Sequence, residues 1–245
     1  MYSMGTAILD IEHDGDPDLY ITDLAGPDLL VSEGGGSFYN GTAAAGATIP
    51  PTEHSMSSWG VAAVDLNGDT CEDLAVLFGL AGSSSAFVSV LDPDWVDGEE
   101  QPDVVLAGDC EGGFSRVTEW GFDDPARGRS VAVGDLNRDG RPDLVTAGKP
   151  FLRVWHTTGG CEPGLTLRPA ADVLAIGARL EVTVGGHTLT RWMLPWTVSS
   201  SSAHEWSVGL GGAASADEVR IAWPDGRTTH LTDVPAGEIV VVAPD

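Results

Sequence analysis

The sequence predicts an all-β protein in two parts: repeated strand pairs over residues 1–160, then a small β-sandwich or barrel over residues 161–245. Three observations carry this. The chain of 245 residues holds 32 Gly and 15 Pro, so turns recur too often for long helices. One strand–loop–strand unit built on aspartates occurs three times. The charge is also uneven: residues 1–150 hold 27 Asp plus Glu against 6 Lys plus Arg, whereas residues 151–245 hold 10 against 6. The turn-forming run Gly159-Gly160-Cys161-Glu162-Pro163-Gly164 lies where that character changes and marks the boundary.

The three copies are AILDIEHDGDPDLYIT from Ala7, AAVDLNGDTCEDLAVL from Ala62 and VAVGDLNRDGRPDLVTA from Val131. Each is a short apolar strand, an acidic loop D-x-[DNE]-x-D-x-x-x-D, a leucine and a second apolar strand. The first aspartates, Asp10, Asp65 and Asp135, are 55 and 70 residues apart, a spacing that suits propeller blades.

Oxygen ligands at positions 1, 3 and 5 of a tight turn can converge on one point. A carbonyl from position 7 and a carboxylate from position 9 then complete a shell for a hard cation. In the third copy these positions are Asp135, Asn137, Asp139, the carbonyl of Arg141, and Asp143. In the second they are Asp65, Asn67, Asp69, the carbonyl of Cys71, and Asp73. In the first they are Asp10, Glu12, Asp14, Asp16 and Asp18. Calcium (Ca2+) is the expected ion, because magnesium demands stricter geometry and keeps more water. Without a cation the crowded carboxylates would repel one another. Gly140 at position 6 supplies the positive φ of the reversal, whereas the second copy has Thr70 there, with Gly68 as a compensating shift. The expected affinity order puts the third site first and the second last. Turn formation alone also accounts for Asp, Asn and Gly in one loop, but not for three copies in one ligand register. An EF-hand is excluded: it needs Glu at position 12, where Ile21, Val76 and Thr146 stand, and helices on both sides.

Beyond the boundary, Ala178–Val184 and Glu218–Trp223 alternate as half-buried strands, and Glu238–Val242 reads as a buried strand. Val184-Gly185-Gly186-His187 and Pro224-Asp225-Gly226-Arg227 read as hairpin turns. This β region is expected to pack on the last blade. The stretch Asp92 to Asp103 reads as a later strand and turn of the second blade.

The D-x-N-x-D-G-x-x-D-L loop between two short strands resembles the FG-GAP/VCBS repeats of integrin-like β-propellers. Gly36-Ser37-Phe38 followed by Ala43-Ala44-Ala45-Gly46 is similar to the segment that follows the loop in those blades. Ala175-Ile176-Gly177-Ala178-Arg179-Leu180, Val208-Gly209-Leu210-Gly211 and Trp223-Pro224-Asp225-Gly226 resemble the ASPIC/UnbV domain of cartilage-acidic-protein-like secreted proteins. The chain departs from that pattern at Ala171-Asp172-Val173-Leu174 and at Trp206-Ser207. The resemblance implies a partial β-propeller of about three blades. The missing blades would lie upstream, on another chain, or nowhere if the arc is capped.

The formal net charge of −25 would repel a phosphate backbone, so no nucleic-acid partner is expected. No run approaches the roughly 18 apolar residues of a membrane span. Three cysteines without C-x-x-C spacing leave either one disulfide and a thiol or three thiols. No nucleophile elbow, H-E-x-x-H, P-loop or dinucleotide fingerprint is present. The histidines are scattered; His13 alone lies in a motif, at position 4, with its side chain expected to point outward. Trp192 and Trp196 offer either core packing or an exposed platform. The expected function is a non-enzymatic, calcium-stabilised binding or adhesion module, extracellular or periplasmic, for an unknown protein or glycan. The alternatives are a polysaccharide-acting enzyme and an assembly subunit whose open arc another chain completes.

Overall fold

The computed structural model describes residues 3–24, 26–49, 57–79, 102–122, 128–148, 151–158, 163–171, 175–194, 196–197 and 200–244. Strands β1 (Ser3–Leu9), β2 (Asp18–Asp23), β3 (Asp28–Ser32) and β4 (Phe38–Asn40) form one antiparallel sheet in chain order. Strands β5 (Ser58–Val64), β6 (Asp73–Phe78), β7 (Val104–Gly108) and β8 (Phe114–Val117) repeat it. A third sheet holds β9 (Gly128–Gly134), β10 (Asp143–Gly148) and β11 (Leu152–Trp155). Each acidic loop joins the first two strands of its sheet, with Leu9 opposite Asp18, Val64 opposite Asp73 and Gly134 opposite Asp143. Residues 92–101 lie outside the described residues.

Period-two alternation in β6 shows how the blades stack. Leu74, Val76 and Phe78 face the core shared with the first sheet, while Ala75 and Leu77 face the core shared with the third. The strand is therefore buried along its whole length. The innermost strands approach at the glycines five residues before the first two loops. A Cβ on Gly5 would lie 2.7 Å from the carbonyl oxygen of Trp59, and one on Gly60 would lie 2.9 Å from that of Arg129. The third copy has Ser130 at this position, where no further blade follows among the described residues.

The C-terminal part contains β12 (Leu165–Pro169), β13 (Arg179–Val184), β14 (His187–Trp192), β15 (Trp196–Thr197), β16 (Ser200–Ser201), β17 (Trp206–Val208), β18 (Ser215–Ala222), β19 (Thr228–Pro235) and β20 (Ile239–Val242). An antiparallel sheet β14-β13-β18-β19 faces a sheet β17-β12-β20, and one apolar core including Leu167, Leu180, Val219, Trp206 and Trp223 fills the space between them. This is a sandwich, with both expected hairpin turns in place. The expected buried strand at 238–242 is corrected: β20 pairs parallel to β12 at the sheet edge, and Val241 is 65 % exposed.

The sandwich packs on the last blade as expected, but not on that blade alone. It sits across the loop ends of all three sheets, and the β15–β16 hairpin touches both β1 and β9. The reason is chemical. Backbone groups at the reversals need partners when buried, and the sandwich provides them at every loop: Arg179 Nη2 donates to the Gly15 carbonyl, Gly211 N to that of Gly68, and Gly164 N to that of Gly140.

Candidate metal centre

The three loops share one hydrogen-bond scheme. The position-1 carboxylate accepts two amides from within its own loop: Asp10 from Asp14 and Gly15, Asp65 from Gly68 and Thr70, Asp135 from Asp139 and Gly140. The position-9 carboxylate reaches back to the position-2 amide and across to a later segment of its blade. Asp18 accepts from Ile11 and Ser32, Asp73 from Leu66 and Gly108, and Asp143 from Leu136 and Thr157. Position 5 accepts from the position-7 amide in every copy: Asp14 from Asp16, Asp69 from Cys71, Asp139 from Arg141. Amides to charged acceptors are strong hydrogen bonds, about 1.5–3 kcal/mol each, so these contacts offset part of the repulsion among the acids.

Two residues in each loop have positive φ, at positions 4 and 6: His13 and Gly15, Gly68 and Thr70, Arg138 and Gly140. The second loop is therefore not shifted, which corrects the compensation expected of Gly68. Its glycine occupies the other left-handed position, and Thr70 adopts φ 86°, a strained state for a β-branched residue. His13 is also corrected. Its side chain is partly buried, Nε2 has no hydrogen-bond partner among the described residues, and burial, then Arg191 and His187, hold its pKa below the usual value.

The position-1 and position-9 aspartates are buried at the loop bases, whereas Glu12, Asp14, Asp69 and Asn137 are exposed. Asp16, Asn67, Asp139 and Arg141 are intermediate, and Cys71 is buried. Asn67 Nδ2 donates to Asp69 Oδ2 at 2.7 Å and Asn137 Nδ2 to Asp139 Oδ2 at 3.0 Å; Arg141 adds an ion pair to Asp139 at 3.7 Å. Among the described residues no three His, Cys, Asp or Glu side chains are gathered as an assembled metal cluster. The donor set itself is all oxygen and rich in carboxylate, which suits a hard divalent cation. Burial pushes Asp10 and Asp65 up to about 6; Asp73 is pushed up to about 8 by burial and then by the charges of Asp65 and Asp69. Glu12 rises to about 7 through partial burial and then through Asp18 and Asp14. The buried carboxylates Asp10, Asp65 and Asp73 hold negative charge where solvent compensates it poorly.

Several important residues escaped the motif. Glu72 accepts from Asp10 N at 3.1 Å and pairs with Arg191 at 3.2 Å, and both side chains are almost fully buried. Arg191 also donates to the Thr70 carbonyl, so β14 is tied to the second loop, and Glu72 carries the link on to the Asp10 amide of the first. Glu205 accepts from Asp135 N at 3.0 Å and pairs with Arg168. Cys71 forms a disulfide with Cys110 across 39 residues, while Cys161 lies outside the described residues. A cavity of about 280 Å³ lies between the inner strands and the sandwich, lined in part by Glu72, Arg191 and Glu205. Half-buried Trp192 also lines it rather than standing as an open platform; the Trp196 side chain lies outside the described residues.

No curated protein matches the chain. Comparison with family models finds an FG-GAP-like repeat match over residues 10–76 and 92–146 and an ASPIC and UnbV match over residues 169–245. The first covers all three acidic loops, and the second begins at the end of β12 and spans the rest of the sandwich. The chain is thus an FG-GAP-like repeat protein with a C-terminal domain of the ASPIC and UnbV family.

Proposed function

We propose that this chain is a calcium-binding module for adhesion or ligand binding outside the cytoplasm, with no catalytic activity of its own. The observation that carries the reading is the common ligand register of three loops that share one hydrogen-bond scheme. Position 1, 3, 5 and 9 side chains and the position-7 carbonyl would hold the ion in each loop. Bound calcium supplies two positive charges to each acidic corner and ties the two strands of a blade together. The Cys71–Cys110 disulfide supports an oxidising compartment, extracellular or periplasmic, where millimolar calcium keeps even weak sites filled.

The partner is a protein or a glycan. A groove of about 710 Å³ between the second and third sheets, with Trp120, Phe122 and Trp155 beside Glu119 and His156, supports that reading. A second reading, that another chain continues the arc, is favoured by the outer strand β11, where Leu152 is 70 % and Val154 46 % exposed. The test is calorimetric titration of chelator-treated protein: calcium should bind in preference to magnesium, and the absence of calcium binding would refute the proposal.

A further inference from the structure

The amide that opens the third acidic loop is held by the sandwich, not by its own blade. Asp135 N donates to Glu205 Oε1 at 3.0 Å. The other oxygen of that carboxylate accepts from Arg168 Nε at 3.0 Å and Nη2 at 2.6 Å, so the side chain is fixed in rotation. The Glu205 side chain is only 5 % exposed. The segment leading to it runs along β9: Val133 N donates to Ser202 Oγ, and Ala203 N donates to the Val133 carbonyl. On the other side of the loop, Gly164 N donates to the Gly140 carbonyl and Gly237 N to that of Gly164. Loop 3 is thus held at both ends by the C-terminal domain. Its position-1 ligand is the residue whose own amide Glu205 fixes.

We propose that Glu205, oriented by Arg168, is a positioning residue for the third loop, so that metal binding there and docking of the C-terminal domain are coupled. The proposal rests on the calcium reading of the loops. A partner that fixes a ligand from outside the coordination shell commonly changes metal affinity about 10- to 100-fold. Linkage makes the effect reciprocal: if docking raises affinity for the ion, the ion stabilises docking by the same factor.

The test uses the full chain and calcium alone. In calorimetry, Asp139→Ala identifies the binding step that belongs to loop 3. Glu205→Ala should weaken that step at least about tenfold and leave the others unchanged. Glu205→Gln, which keeps an acceptor oxygen for Asp135 N but whose NH2 cannot accept from Arg168, should recover part of the loss. A loop-3 step unchanged in Glu205→Ala, an equal loss at every step, or a Gln variant no better than Ala would overturn the proposal. In the unaltered protein, hydrogen exchange at the Ala203 and Ser207 amides should slow when calcium is added, and identical exchange in both states would also overturn it. A wild-type chain that takes up no calcium would refute the calcium reading and the coupling together. Normal uptake with failed coupling would refute the coupling alone.

Discussion

Replacing Arg191 by Met should destabilise the protein severely, because its guanidinium is the cation buried between the first two loops. It pairs with Glu72 at 3.2 Å and donates to the carbonyls of Thr70 and Thr190 at 3.1 and 2.8 Å, with 7 % of the Arg191 and 4 % of the Glu72 side chain exposed. Two unit charges at this separation attract by about 5 kcal/mol at an effective dielectric constant near 20. Removing one partner strands the other, which typically costs about 3–5 kcal/mol. That cost depends on pH. Burial raises the Glu72 pKa to about 7 even beside the guanidinium. A carboxylate with a raised folded pKa contributes stability that falls as pH rises from its unfolded value through the folded one. The variant should therefore suffer most in alkaline buffer. Urea unfolding followed by tryptophan fluorescence at pH 8.5 should show the loss, and the double variant Arg191→Met with Glu72→Leu should regain much of it. A loss under about 1 kcal/mol in the single variant would refute the view that this pair fixes the loops to the sandwich.

Thr70→Gly should stabilise the second loop by about 1 kcal/mol, since the φ of 86° costs a β-branched residue more than glycine's extra chain entropy; an unchanged urea midpoint would contradict this. Opening the Cys71–Cys110 disulfide, which closes 39 residues, should cost about 4 kcal/mol in the chain-entropy account, measured as the difference between Cys110→Ser and wild type. Burial raises Asp103 to about 8, and its Oδ2 has no hydrogen-bond partner among the described residues. Wild-type stability should therefore decline between about pH 4 and pH 8, and Asp103→Asn should flatten that part of the profile; an unaltered slope would refute it.

The repeat made the first two strands of each of the three sheets legible, β1–β2, β5–β6 and β9–β10, because a strand pair and its acidic loop are local features. The hairpins at Gly185-Gly186 and Asp225-Gly226 were legible for the same reason. What stayed hidden was non-local. Nothing in Arg191 or Glu205 distinguishes them by spacing, since their partners Glu72 and Asp135 are 119 and 70 residues away. The parallel pairing of β12 with β20 joins the two ends of the sandwich, and no turn signal announces it. The turn alone would point His13 outward, but the side chain is partly buried beside Arg191 and His187. The second loop showed a subtler lesson: two left-handed positions are available, and a glycine at either one satisfies only half of the requirement.

In the proposed reading a divalent cation completes each acidic corner and thereby holds the blades under their covering domain. Thermal unfolding of the full chain in excess calcium, compared with the same protein after exhaustive chelation, tests it most directly. Tm should rise with calcium concentration as mass action requires, and the rise should be smaller when Asp139 is changed to Ala. Coincident melting curves across that range would contradict it.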